Sequence, residues 1–284
     1  MELFEAAQAI CTGIEEALDT KKGFLVGRTG TIELDTLLGG MNHSVLEKNA
    51  GVFPPTHESV SRWRLETFDA IKACDLLVAG WYEPLAYSEK SLLKSLGKEG
   101  PFLPLRALEP YYVPEGLMWT RLLAGRRVAV VNAFATTAVA QIPRREAIWK
   151  DRAESLLPDA TWIPIRTGYA PVLARGRAEW IPPVARWQDA VASVVDQVLS
   201  ANVEIVLIGC GGLGMLIGAR LKALGKICIV MGGATQVLFG LKGNRWAGHS
   251  VISRFWNDSW TYPSAEETPR GAAVIEGGCY WGTT

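Results

Sequence analysis

Six short apolar runs recur along the chain, at residues 24–27, 76–79, 128–131, 162–165, 205–208 and 227–230. Several are apolar at nearly every position instead of alternating, the pattern of strands covered on both faces, as in a parallel sheet. Between them the apolar spacing becomes helical. Residues 2–18 repeat apolar positions three and four apart, and 59–72 follow Thr56, a capping residue. Residues 187–200 lead into the fifth run, and 214–224 stop at Gly225, a C-cap signal. The alternation predicts an α/β fold with a mostly parallel central sheet and helices on both faces.

Prolines at 101, 104, 110 and 114, and again at 164, 171, 182 and 183, mark irregular connections, yet neither cluster separates two self-sufficient regions. Residues 1–284 therefore read as one domain, its core spanning about 24–246. From 247 to 284 the composition turns to Gly, Trp and polar residues with little periodicity, which predicts an irregular C-terminal extension that wraps the sheet and lends loops to a site.

Composition narrows the function classes. Lys plus Arg is 29 and Asp plus Glu is 29, so the chain lacks the basic footprint that nucleic-acid binding demands. No run of about 18 apolar residues occurs, and the best candidate, 205–223, is broken by glycines and Arg220, so no transmembrane segment is expected. Glu2 and Glu5 stand where a secretory leader would be basic. The five cysteines show no CxxC spacing, so neither a disulfide framework nor a zinc site is indicated and a cytoplasmic setting is expected.

Ligands of open parallel sheets bind beyond the carboxyl ends of the strands, so the six loops there belong together. They begin Gly27-Arg28-Thr29-Gly30-Thr31-Ile32-Glu33, Gly80-Trp81-Tyr82-Glu83, Asn132-Ala133-Phe134, Arg166-Thr167-Gly168, Gly209-Cys210-Gly211 and Gly232-Gly233-Ala234. Glycine or hydroxyl residues in these loops point to backbone approach by an anionic, hydroxyl-rich ligand.

The fifth loop, Gly209-Cys210-Gly211-Gly212-Leu213-Gly214, matches the GxGxxG dinucleotide fingerprint between strand and helix. The acidic residue that should take a ribose about 20 residues on is missing. Phosphate contact and close helix packing are both open readings for Gly209, Gly211 and Gly212. Arg28 and Glu33 can form a plain ion pair, or the arginine can hold phosphate while the carboxylate holds a cation. Glu83 is a second, weaker carboxylate candidate. The densest signal is the segment 232–246, with Gly232, Gly233, Gln236, Lys242, Arg245 and Trp246. Its cations suit phosphate, and Trp246, or the later Trp256 and Trp260, suits stacking on a base or sugar, although packing under loops explains any one Trp. His43, His57 and His249 have no ligand spacing.

Together, GGATQVLFGLKGNRW, the Asn49-Ala50-Gly51-Val52-Phe53-Pro54 segment, the loop GRTGTIE and the closing Glu276-Gly277-Gly278-Cys279-Tyr280-Trp281 resemble the GT-D-type glycosyltransferases, over about residues 24–281. The resemblance implies a Rossmann-like domain that binds a nucleotide sugar, typically a UDP-sugar, and transfers the sugar to a hydroxyl of a glycan or glycoprotein acceptor. It implies Glu33 as the catalytic residue, Arg28, Gly30, Thr31 and Asn49 as part of the nucleotide-sugar site, and Mn²⁺ or Mg²⁺ at Glu33. It leaves a homo-oligomer open. The family's first loop reads Arg-x-Gly-Asp-Gly-Glu; here Thr31 replaces the aspartate, and one carboxylate with a threonine is a weak cage for either ion. Two other readings stay open: an NAD(P)-dependent oxidoreductase using GCGGLG, and a non-catalytic sugar- or nucleotide-binding member of the same fold.

Overall fold

The computed structural model describes residues 1–282; residues 283 and 284, the last of the expected extension, lie outside the described residues. Six strands, β1 (Phe24–Arg28), β2 (Leu76–Val78), β3 (Arg127–Asn132), β4 (Thr161–Arg166), β5 (Ile205–Gly209) and β6 (Ile227–Val230), form one sheet in the order β2-β1-β6-β5-β3-β4. Every pairing is parallel, giving a Rossmann-like α/β architecture. Each apolar run is a strand. The reason is visible in the burial of β6, which is complete at all four positions, whereas β4 at the edge is mostly half-covered. Pro164 falls on β4, where a missing N–H on the outer side costs no ladder bond.

Among the described residues, the helices that frame the sheet and the site include α1 (Leu3–Thr20), α2 (Thr31–Leu37), α3 (His43–Ala50), α4 (His57–Ala73), α5 (Glu83–Ser95), α6 (Ala135–Ala140), α7 (Trp187–Ser200), α8 (Gly214–Ala223) and α9 (Ala234–Leu238). Thr56 caps α4, its hydroxyl accepting the Ser59 N–H at 3.2 Å, an arrangement that stabilises a helix by about 1 kcal/mol. Gly225 follows α8 with φ +80°, the left-handed turn expected at a helix end. Helices α4 and α7 both pack on α8, while α1 packs with the Leu105–Leu108 and Trp119–Leu123 turns.

Helix α1, upstream of β1, packs on the core through Ala6, Ala7, Ile10 and Ile14, all fully buried. The extension from 247 is irregular, built of 3-10 turns, but it also plugs the interior with Trp260, Ile275 and Trp281. It is tied down by Glu267, a buried carboxylate that accepts the N–H of Thr136 at 2.9 Å, the N–H and hydroxyl of Thr137 and the hydroxyl of Ser264. No described helix is long and apolar enough to cross a membrane.

Candidate functional site

Strands β3 and β5 are neighbours, but the chain leaves β3 toward the β4 edge and leaves β5 toward β6. Right-handed crossovers send those two connections to opposite faces, which opens a crevice at the carboxyl ends of the strands. A cleft occupies that position, walled by the loops after all six strands, by α3 and by the C-terminal extension.

Arg28 closes β1 and reaches into the cleft. Its guanidinium lies over the Trp81 ring at 5.0 Å, Nη1 donates to the Thr29 carbonyl at 3.3 Å, and Nε is shielded from solvent with no acceptor among the described residues. Across from it Gly232 has φ +60°, and a Cβ there would collide with Nη2 of Arg28. The glycine is thus required twice, by backbone and by the arginine.

Glu33 sits in the first turn of α2 behind Gly30, the residue that caps the helix. The carboxylate folds back so closely that any side chain on Gly30 would strike it. Both residues and Thr31 line the cleft. Burial pushes the Glu33 carboxyl above its usual range; its own N–H and Arg28 pull it down, and Glu276 pushes it further up.

Glu276 was quoted in the sequence motif but not expected as a site residue. It holds φ +46° and is followed by Gly277 and Gly278, also at positive φ, a local strain of the kind that accumulates at functional sites. Its carboxylate accepts from the Tyr280 hydroxyl at 3.0 Å and the Cys279 thiol at 3.6 Å, and pairs with Arg245 Nη2 at 3.4 Å. Its N–H donates to Asn49 Oδ1 at 3.1 Å, so Asn49 in the cleft wall anchors the extension to α3. Tyr280 and Cys279 are local partners of Glu276, but Asn49 and Arg245, which tie it to the cleft, are far away in sequence.

Arg245 lies 5.0 Å from the Tyr280 ring and 5.4 Å from that of Trp246. Burial works against its charge, but Tyr280, Glu276 and Cys279 outweigh it and hold the guanidinium firmly protonated. Gly233 beside it leaves room, since a Cβ would come within 3.3 Å of Nη1. Gln236 donates through Nε2 to the carbonyls of Lys242 and Tyr280, both at 2.8 Å, which fixes the amide and leaves buried Oε1 without a donor. Asn132, at the start of the third strand-end loop, donates to the Gly209 carbonyl at 2.8 Å and accepts the Phe134 N–H at 2.7 Å.

Glycines of the fifth loop divide between the two readings. Gly211 lines the cleft and Gly209 does too, although a Cβ at Gly209 would lie 2.5 Å from Asn132 Nδ2, a packing demand. Gly212 stands outside the lining: its carbonyl accepts the Trp63 indole at 2.8 Å, and a Cβ would press on Val52 at 3.0 Å. Lys242 also stands elsewhere, its ammonium 5.8 Å from the Trp256 ring and its backbone paired with Thr261 and Gln236. Trp246 is buried beneath Gly233 and Gly243 and packs instead of presenting a stacking face. Trp260 stacks edge-on to Trp149 at 5.3 Å in the core. Exposed Glu83 opens α5 away from the lining. The indoles in the lining are Trp81, from the loop after the second strand, and Trp180, which was not expected.

The donor set fits a divalent cation poorly. Mg²⁺ and Mn²⁺ need several hard oxygens. Glu33 stands without a second carboxylate in its own loop, Glu276 is engaged by Arg245, Tyr280 and Cys279, and the amide oxygens of Asn49 and Asn132 accept backbone N–H groups. Among the described residues no group of three His, Cys, Asp or Glu is disposed to hold a metal ion.

No protein-family model matches the chain, and no curated protein matches it. Among solved structures, it is similar to one described as the highly conserved domain of unknown function 1792 with a distinct glycosyltransferase fold. The identity is 11%, covering 94% of this chain and 96% of that one, with a TM-score of 0.49. It is also similar to a selenomethionine-substituted structure of domain of unknown function 1792, at 12% identity, 83% of each chain and a TM-score of 0.46.

Proposed function

We propose that the protein is a single-domain glycosyltransferase that moves a sugar from a nucleotide-diphosphate sugar, a UDP-sugar in the first instance, to a hydroxyl acceptor in glycan or glycoprotein assembly. The observation that carries this reading is the convergence of Arg28, Glu33 and Arg245 on one cleft beyond the strand ends, although they lie on segments more than two hundred residues apart.

The chemistry follows from those groups. Departure of a nucleoside diphosphate builds negative charge on its outer phosphate, and guanidinium groups fixed in advance stabilise that charge without reorganising. The diphosphate would lie over Gly209, Gly211, Gly232 and Gly233, where bare backbone permits close approach. The attacking hydroxyl must lose a proton as it bonds to the anomeric carbon, and a carboxylate with a raised proton affinity is suited to accept it. Glu33 fills that role. Gln236 Oε1 offers an acceptor for a donor hydroxyl or base N–H.

Isothermal titration with UDP-, GDP- and CMP-sugars, with and without Mn²⁺, tests the reading. Heat from at least one donor is expected; silence from all of them would overturn it. The oxidoreductase alternative is checked by NADH fluorescence, which is expected to stay unchanged on adding the protein. A non-catalytic member is favoured by Thr31 in the family's aspartate position, and donor hydrolysis by wild type but not by Glu33→Ala would exclude it.

A further inference from the structure

We propose that this cleft grips the diphosphate of its donor without a divalent cation, Arg28 and Arg245 supplying the positive charge from either side of the Gly232–Gly233 turn. The inference rests on the transferase reading above and adds the means of charge neutralisation.

Three observations carry it. The lining presents guanidinium N–H donors that suit an oxyanion, while the oxygens of Glu276, Asn49 and Asn132 already accept hydrogen bonds. Arg28 Nε is buried with no acceptor among the described residues, and its other nitrogens have only the Thr29 carbonyl and the Trp81 face. A buried donor without a partner is disfavoured, and a phosphate oxygen would complete it. Arg245 makes one long ion pair with Glu276, which leaves most of its planar fork for a ligand.

Geometry of the turn is the second. Side chains at Gly232 and Gly233 would meet Arg28 and Arg245 respectively, so the two glycines clear the space that the two guanidinium groups flank. A bare turn between two forks matches a diphosphate, whose adjacent phosphates each accept paired hydrogen bonds.

The third is the state of the carboxylates. Glu276 is already partnered, and Glu47 on α3 is drawn toward its neutral form by burial, with Lys48 opposing. With Thr31 where a second carboxylate would stand, Glu33 has no acidic neighbour in its own loop with which to chelate.

The experiment is calorimetric titration of UDP and of inorganic pyrophosphate into EDTA-treated protein, repeated with excess Mn²⁺ and with excess Mg²⁺. UDP is expected to bind in EDTA as tightly as with either ion. Arg28→Gln and Arg245→Gln should each weaken it by about tenfold or more in EDTA, the worth of one charge-assisted hydrogen bond. Should either glutamine variant fail to melt cooperatively, Arg28→Lys and Arg245→Lys replace it, with a smaller loss expected because charge remains and the fork does not. Binding that appears only when Mn²⁺ or Mg²⁺ is added overturns this inference and leaves the transferase reading standing. Folded variants that bind UDP like wild type overturn it as well. Absence of UDP, GDP and CMP-sugar binding under every condition removes the transferase reading itself.

Discussion

Arg245 Nη2 lies 3.4 Å from Glu276 Oε2, joining the segment after the last strand to the C-terminal extension. The same glutamate raises the proton affinity of Glu33 from across the cleft. Replacing Glu276 by Gln removes that like charge, so Glu33 should ionise at lower pH. The acid limb of the pH–rate profile for donor hydrolysis is expected to move downward in Glu276→Gln. An unmoved limb would separate Glu276 from the reacting carboxyl.

Glu33 itself makes a linked prediction about stability. Its folded pKa exceeds the ordinary 4.5, so the folded state binds the proton more tightly than the unfolded one. Its contribution to stability therefore falls as pH rises from about 4.5 through the raised folded value, and stays lost above it. Glu33→Gln should melt higher than wild type near neutral pH, with the advantage vanishing below about pH 4.5. Turnover of the same variant should fall by roughly a hundredfold or more, as for loss of a general base. Melting curves across pH, with initial rates alongside, decide both.

Gly232 and Gly233 offer a contrast within one turn. Gly232→Ala meets a left-handed backbone and the Arg28 guanidinium together, so a loss of about 1 kcal/mol in stability and a marked loss of nucleotide affinity are expected. Gly233 has φ −62° and only a tight approach to Arg245. Its alanine variant should keep its stability and lose less affinity. Calorimetry and urea titration of the pair provide the check.

Glu267 lies outside the cleft lining and holds the extension. Ala in its place strands the N–H groups of Thr136 and Thr137 at the start of α6 and removes the partner of Ser264. A loss of roughly 2–4 kcal/mol is expected in urea unfolding, from the deletion of a buried, multiply hydrogen-bonded charge.

The strands were legible because parallel strands buried on both faces carry an apolar run whatever their neighbours are. Thr56 and Gly225 were legible because caps are local. Arg28, Gly30 and Glu33 could be placed in the site since strand and loop are contiguous. Lys242 and Trp246 lie outside the cleft lining for the opposite reason: within one short segment, which side chain faces the cleft depends on packing against Thr261 and Gly243, and periodicity carries no trace of that. Gly212 answers to Trp63, far upstream, so the fingerprint looks like phosphate binding while part of it serves a buried indole. The roles of Glu276 and Asn132 stayed hidden because they come from contacts with Asn49, Arg245 and Gly209 across the fold.

The bond between Asn49 Oδ1 and the Glu276 N–H has a consequence for how the molecule is made. A ribosome delivers residue 49 early, and all six strands have been translated before residue 276 appears. A nascent polypeptide can thus settle its sheet around β6 while one wall of the crevice has yet to be synthesised. Competence would arrive last, and a fragment halted before that point would lack both this wall and the buried Trp281 that closes the core beneath it.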